Sequence, residues 1–215
     1  AHAFFAETGG TIKNNATILN RVNVTTVRDE TATLFADGGS IIFNNGGDYK
    51  ALGDKSLTVY ADNGGIVTLR SGVGTNNYEV NTNGVLFYKD NLGEINIDAT
   101  GGKAIMSVGD GSVFAISNGG TNKINFLGTA GDLEVTLKNG STGFIFDSLG
   151  SPLSIAGINS ALANNFSGLT NLDMTLDAGS RLFVVENYGT SDFSAVSSIS
   201  LGTGIFNNVF DNGGK

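Results

Sequence analysis

Along most of this chain apolar residues come in short runs, such as "SLTVYA", "GVLFYK", "EINIDA", "SVFAIS", "KINFLG", "LEVTLK", "TGFIFDS", "LDMTLD" and "RLFVVEN". The runs are rich in β-branched and aromatic residues, alternate in part with polar ones, and end on Gly, Asn or Asp. That is the period-two signature of half-buried strands between tight turns. Apolar residues at helical spacing are scarce, and Gly or Asn interrupts almost every window of ten. The pattern predicts an all-β protein.

The runs repeat. Four stretches, "LTVYADNGGIVTLRSG" from Leu57, "INIDATGGKAIMSVGDG" from Ile95, "LEVTLKNGSTGFIFDSLG" from Leu133 and "LDMTLDAGSRLFVVENYG" from Leu172, share one layout: strand, Gly corner, strand, turn. Their starts lie 38, 38 and 39 residues apart (95 − 57, 133 − 95, 172 − 133). Glycines such as Gly39, Gly64, Gly84, Gly102, Gly120 and Gly140 suggest a half-step between these starts. A unit of about 20 residues fits one turn of a solenoid. The predicted fold is a parallel β-helix of about nine or ten coils, a rod of roughly 45 Å at ~4.8 Å per coil. A β-sandwich has no reason to repeat at 38, and the Trp-Asp punctuation of common propeller blades is missing.

In such a stack, inward side chains form columns from coil to coil and outward ones stay wet. Val59 and Leu57, and Leu133, Val135 and Leu137, are predicted to face in, with Glu134 and Thr136 out. "TLFADGGSIIFNNGG" (33 to 47) and "TVYADNGGIVTLRSG" (58 to 72) read as successive coils, placing Phe35 against Tyr60 and Asp37 against Asp62. The residues 1–215 form one β-helix segment with three candidate loop excursions, 44–56, 150–168 and 187–200. Loops on a repeat scaffold are where recognition concentrates. The candidate binding residues are therefore Tyr49, Lys50 and Lys55 in the first, Asn164 and Phe166 in the second, and Tyr188 and Phe193 in the third.

Composition narrows the function. The chain has 215 residues, 40% of them hydrophobic, enough for a substantial core. Thirty-two Gly without a Gly-X-Y period exclude collagen, and a net charge of −8 with no basic stripe argues against nucleic acid and anionic membranes. No apolar run reaches the ~20 residues of a spanning helix, so no membrane insertion of this segment is expected. With no Cys there is no thiolate metal site, cysteine nucleophile or disulfide framework. His2 is the only histidine, which disfavours a Ser-His-Asp triad and histidine metal sites. No phosphate-binding loop and no nine-residue calcium repeat is present, so neither metal nor cofactor is expected. Carboxylates at matching repeat positions, Glu134 with Asp173 and Asp147 with Glu186, leave open a stacked acidic site of the kind that cleaves polysaccharides.

Coils such as "LEVTLKNGSTGFIFDS" and "LDMTLDAGSRLFVVEN", in a Cys-free chain leaning to Asn, Lys and Phe, resemble the passenger domains of autotransporters secreted through the Gram-negative outer membrane. The style is similar to large fusobacterial-type surface adhesins. The resemblance spans roughly residues 30 to 210 and implies a right-handed parallel β-helix, a non-enzymatic stalk or adhesive segment of a longer passenger, displayed on the cell surface. The implied partners are a host-cell or bacterial surface protein or glycan, or further copies of the chain. A β-helical polysaccharide lyase or hydrolase is the alternative.

Overall fold

The computed structural model describes residues 1–14, 21–117, 124–128, 131–147, 171–178, 180–186 and 208–211. Their regular structure is all strand: β1 (His2–Glu7), β2 (Thr11–Asn14), β3 (Val22–Thr26), β4 (Ala32–Asp37), β5 (Ser40–Phe43), β6 (Gly47–Ala51), β7 (Leu57–Asp62), β8 (Ile66–Arg70), β9 (Thr75–Val80) and β10 (Val85–Lys89). These continue into β11 (Glu94–Asp98), β12 (Lys103–Val108), β13 (Val113–Ser117), β14 (Ile124–Leu127), β15 (Asp132–Leu137), β16 (Thr142–Asp147), β17 (Asn171–Leu176), β18 (Arg181–Glu186) and β19 (Asn208–Asp211).

Every strand pairs in parallel with its equivalent one coil away, giving three sheets. Sheet A runs β1-β4-β7-β10-β13-β16-β18, sheet B β2-β5-β8-β11-β14, and sheet C β3-β6-β9-β12-β15-β17-β19. The chain visits A, B and C in rotation through β15, three strands to a turn. This is the parallel β-helix that the alternation and the repeat predict.

The length of a coil differs from the prediction. In sheet A, Phe5, Phe35, Tyr60, Tyr88 and Ile116 are partners in succession, at spacings of 30, 25, 28 and 28 (35 − 5, 60 − 35, 88 − 60, 116 − 88). The Gly84 N–H, which donates to the Ser112 hydroxyl of the next coil, shows the same spacing of 28. A coil is thus considerably longer than the unit expected from the repeat. The sheets hold 7, 5 and 7 strands, about five turns among the described residues, fewer than the nine or ten coils expected. The 38-residue repeat has a simple origin. Leu57 lies in β7 on sheet A, Ile95 in β11 on sheet B and Leu133 in β15 on sheet C, so each step advances four strands, or one and a third turns. All three faces bury the same apolar alternation, so the strand-and-corner unit resembles itself on every face. Only the last step, Leu133 to Leu172, joins true neighbours in one sheet.

The core runs along the axis. Leu34, Val59, Phe87 and Ala115 line it from sheet A, Ile41, Val67, Ile95 and Ile124 from sheet B, and Tyr49, Tyr78, Met106 and Val135 from sheet C. Val59, Leu133, Val135 and Leu137 face in and Glu134 and Thr136 out as predicted, while Leu57 is only half-buried. Where sheet C turns into sheet A, two consecutive residues face inward, as in Thr33-Leu34, Thr58-Val59 and Leu86-Phe87. The buried Thr33 and Thr58 hydroxyls donate to the carbonyls of Lys50 (3.0 Å) and Glu79 (2.8 Å), closing that bend without an orphan donor. An interior chain of rings, Phe43, Tyr49, Tyr78, Phe87 and Phe126, connects coils at centroid distances of 5.3–6.2 Å.

The turn from A to B is the tightest. Gly65 donates to the Asp62 carbonyl at 2.6 Å, and a Cβ on Gly65 would stand 2.1 Å from the Ala36 oxygen of the neighbouring coil. Gly64 before it has φ +78°, a conformation that Gly adopts without strain.

Candidate functional site

The outer face of sheet A differs from the others. Its middle outward column is aromatic: Phe5, Phe35, Tyr60 and Tyr88, continued by Ile116. Phe35 and Tyr60 stack at 4.4 Å with only 4° between ring planes, Phe5 and Phe35 meet at 5.1 Å, and Tyr60 and Tyr88 at 5.1 Å. His2 adds a ring against Phe5 (5.3 Å) and Phe35 (4.9 Å). The predicted pairing of Phe35 with Tyr60, and of Asp37 with Asp62, is therefore what the register shows. Since the rings take their neighbours' faces, what they offer to solvent is edges and the tyrosine hydroxyls. Phe5, at 43% exposure, is the most open of the large apolar residues in the column.

Two residues further along each strand, on the same face, lies a column of carboxylates: Glu7, Asp37, Asp62 and Asp90. Tyr60 donates to Asp62 Oδ2 at 3.0 Å and Tyr88 to Asp90 Oδ2 at 3.5 Å. The corner residues knit the column together: Asn63 and Asn91, in the left-handed region at φ 50° and 45°, donate from their side chains to Asp37 and Asp62, each at 2.7 Å. Their backbone N–H groups donate to Asp62 and Asp90 at 2.7 and 2.8 Å. Asp62 thereby accepts three hydrogen bonds from residues of two coils. Burial first, and then the Asp62 hydrogen bond and charge, push the Tyr60 hydroxyl well above its ordinary pKa, so it remains a donor at all physiological pH. By register the same strand position holds Asp147 and Glu186 in β16 and β18.

Sheets B and C are wet and internally paired. Outside sheet C, Lys50 pairs with Glu79 at 3.2 Å, Lys103 with Glu134, and Asn77 donates to Asp48 at 2.6 Å. Outside sheet B, Asn125 donates to Asn96 at 2.8 Å, and Arg70 lies 3.7 Å from Asp98.

Among the described residues, the sequence-derived binding residues Tyr49, Lys50 and Lys55 do not form one site. The 44–56 stretch is not an excursion: it contains β6, a regular rung of sheet C. Tyr49 is fully buried in the core, Lys50 is outward beside Glu79, and Lys55 is exposed at the turn into sheet A. The inference failed because the interval from Phe35 to Tyr60 is a short coil here, not a long one. Asn164, Phe166, Tyr188 and Phe193, with the excursions 150–168 and 187–200, lie outside the described residues. The pairs Glu134 with Asp173 and Asp147 with Glu186 are register neighbours, as their repeat positions suggested. Sequence reasoning missed the sheet A face as a surface, although the Phe35, Tyr60 and Asp37, Asp62 echoes were its visible trace.

Comparison with known proteins gives no significant match to a family model, a curated protein or a solved structure.

Proposed function

We propose that this chain is a non-enzymatic segment of a surface-displayed bacterial autotransporter passenger, a stalk whose outer sheet A face mediates adhesion or aggregation. The observation that carries the reading is the aromatic column Phe5, Phe35, Tyr60 and Tyr88 standing outward beside carboxylates. A solvated strand position ordinarily takes a polar or charged residue, as Asn96 does on sheet B and Lys50, Asn77 and Glu79 do on sheet C; a row of rings on the outside supports a contact surface. The stalk role draws on the resemblance of the coils and on a scaffold in which, among the described residues, each strand pairs with its equivalents in the turns beside it. The partner is a protein or glycan of a cell surface, or another copy of the chain.

The test is binding of the purified segment to host and bacterial cells and to itself, repeated with Tyr60→Thr/Tyr88→Thr. Those substitutions keep good strand formers while removing the outward rings. Binding or aggregation by the native segment that falls at least tenfold in the double variant, at unchanged far-UV circular dichroism, is the expected outcome. Native binding that survives the double variant refutes the face, and no binding at all refutes the adhesive role.

A second reading, cleavage of a polysaccharide, is favoured by one observation: Asp147 and Glu186 occupy one strand position on adjacent rungs. Release of new reducing or unsaturated ends from a polymer panel, lost in Asp147→Asn, would establish it.

A further inference from the structure

Inside sheet C there is a polar spot in an otherwise apolar wall. Asn76 and Tyr78 project inward from β9 and Tyr49 from the neighbouring β6, at 0%, 1% and 0% exposure. The Tyr49 hydroxyl, the Tyr78 hydroxyl and both carboxamide atoms of Asn76 lack a protein partner in regular hydrogen-bond geometry, although Asn76 lies close enough to Tyr78 to act on its hydroxyl. Four buried polar atoms without a well-formed partner, on three neighbouring side chains, are unusual, because buried polar groups are almost always satisfied by protein or by ordered water.

Several features put these groups together. The register sets Gly47 beside Asn76 and Tyr49 beside Tyr78. The Tyr49 hydroxyl leans back over Gly47, where a Cβ would stand only 2.6 Å from it. In the inward column of Asn76 the flanking positions are the small residues Gly47 and Ala104. Beyond them, Val22 and Leu133 continue the column with apolar side chains. At the nearby corner Arg21 packs against Gly46 and donates to the Thr75 carbonyl, the residue before Asn76. Its positive charge opposes the burial that raises the Tyr49 hydroxyl pKa, as the Asn76 carboxamide does for Tyr78.

We propose that Tyr49, Asn76 and Tyr78 form an internal hydration site, holding one or two water molecules that bridge the two hydroxyls and the carboxamide inside the solenoid. Water is the ligand that fits the chemistry: it both donates and accepts, as two hydroxyls and an amide require, and a buried water typically makes about three hydrogen bonds. The column Val22, Gly47, Asn76, Ala104, Leu133 changes from large to small and back, so the site is closed by apolar side chains along the axis.

The experiment is a crystal structure of the native chain at a resolution that shows ordered solvent, together with thermal melts of Tyr49→Phe and Tyr78→Phe. The expected results are solvent density within hydrogen-bond distance of at least two of the three side chains, and a midpoint lowered by about 2–4 °C in each Phe variant, since each removes a satisfied bond. Continuous protein packing with no solvent peak overturns the proposal. So do Phe variants that melt at or above the native temperature, because removing a truly orphaned hydroxyl relieves a penalty instead of losing a bond.

Discussion

Replacing Asp62 by Ala tests whether the carboxylate column holds the outer edge of sheet A together. Asp62 accepts from the Asn63 N–H at 2.7 Å, from the Asn91 side chain at 2.7 Å and from the Tyr60 hydroxyl at 3.0 Å. Each such bond is worth a net ~0.5–1.5 kcal/mol, and the half-buried position favours the lower part of that range, so the loss is about 2 kcal/mol. Asp62→Asn keeps an acceptor for the two asparagine donors but not the carboxylate that anchors Tyr60, and costs about 1 kcal/mol. The assay is urea unfolding followed by circular dichroism, with Asn91→Ala and the double variant completing a cycle. A coupling of at least ~0.5 kcal/mol between Asp62 and Asn91 is expected for side chains in one network. If Asp62→Ala and Asp62→Asn both unfold within ~0.5 kcal/mol of the native chain, the corner hydrogen bonds merely replace hydration and the argument fails.

Gly65→Ala drives a Cβ to 2.1 Å from the Ala36 carbonyl oxygen and is expected to prevent folding or to cost more than ~3 kcal/mol, whereas Gly64→Ala meets open space and costs only the ~1–2 kcal/mol of its φ of +78°; chemical denaturation separates the two. Phe87→Ala removes a buried ring that touches Tyr78, Phe114 and Phe126 and is expected to cost ~3–5 kcal/mol in the same assay. Burial raises the hydroxyl pKa of Tyr49, Tyr60 and Tyr78 above the ordinary 10.0, so stability is full below about pH 10 and falls as pH rises beyond it, when the unfolded chain ionises and the folded one does not. An ultraviolet phenolate titration checks this: these three hydroxyls should ionise only together with loss of the β signal.

The amino-acid sequence by itself determined the class of fold and much of its local detail. Alternation of apolar and polar residues dictates which strand positions face in, and Gly and Asn at the corners dictate turns, because both depend on nearest neighbours along the chain. Self-similarity between stretches 33–47 and 58–72 even fixed the pairing of Phe35 with Tyr60, since that echo joins true neighbours. The number of strands in a turn was decided only by tertiary structure. A 38-residue repeat is equally compatible with two short coils or with one and a third longer ones, and closing a three-walled tube around the Tyr49 and Phe87 rings selects the longer. That closure also decided that Tyr49 is core and not loop, and that Lys89, at the end of "GVLFYK", is buried with its ammonium donating to the Asn91 carbonyl at 2.8 Å. The asymmetry among the faces, with rings outside sheet A and ion pairs outside sheet C, is likewise tertiary. It exists only once residues a full coil apart, such as Tyr60 and Tyr88, are stacked into columns, and apart from the echo of Phe35 in Tyr60 the alternation along a single strand does not report on that stacking.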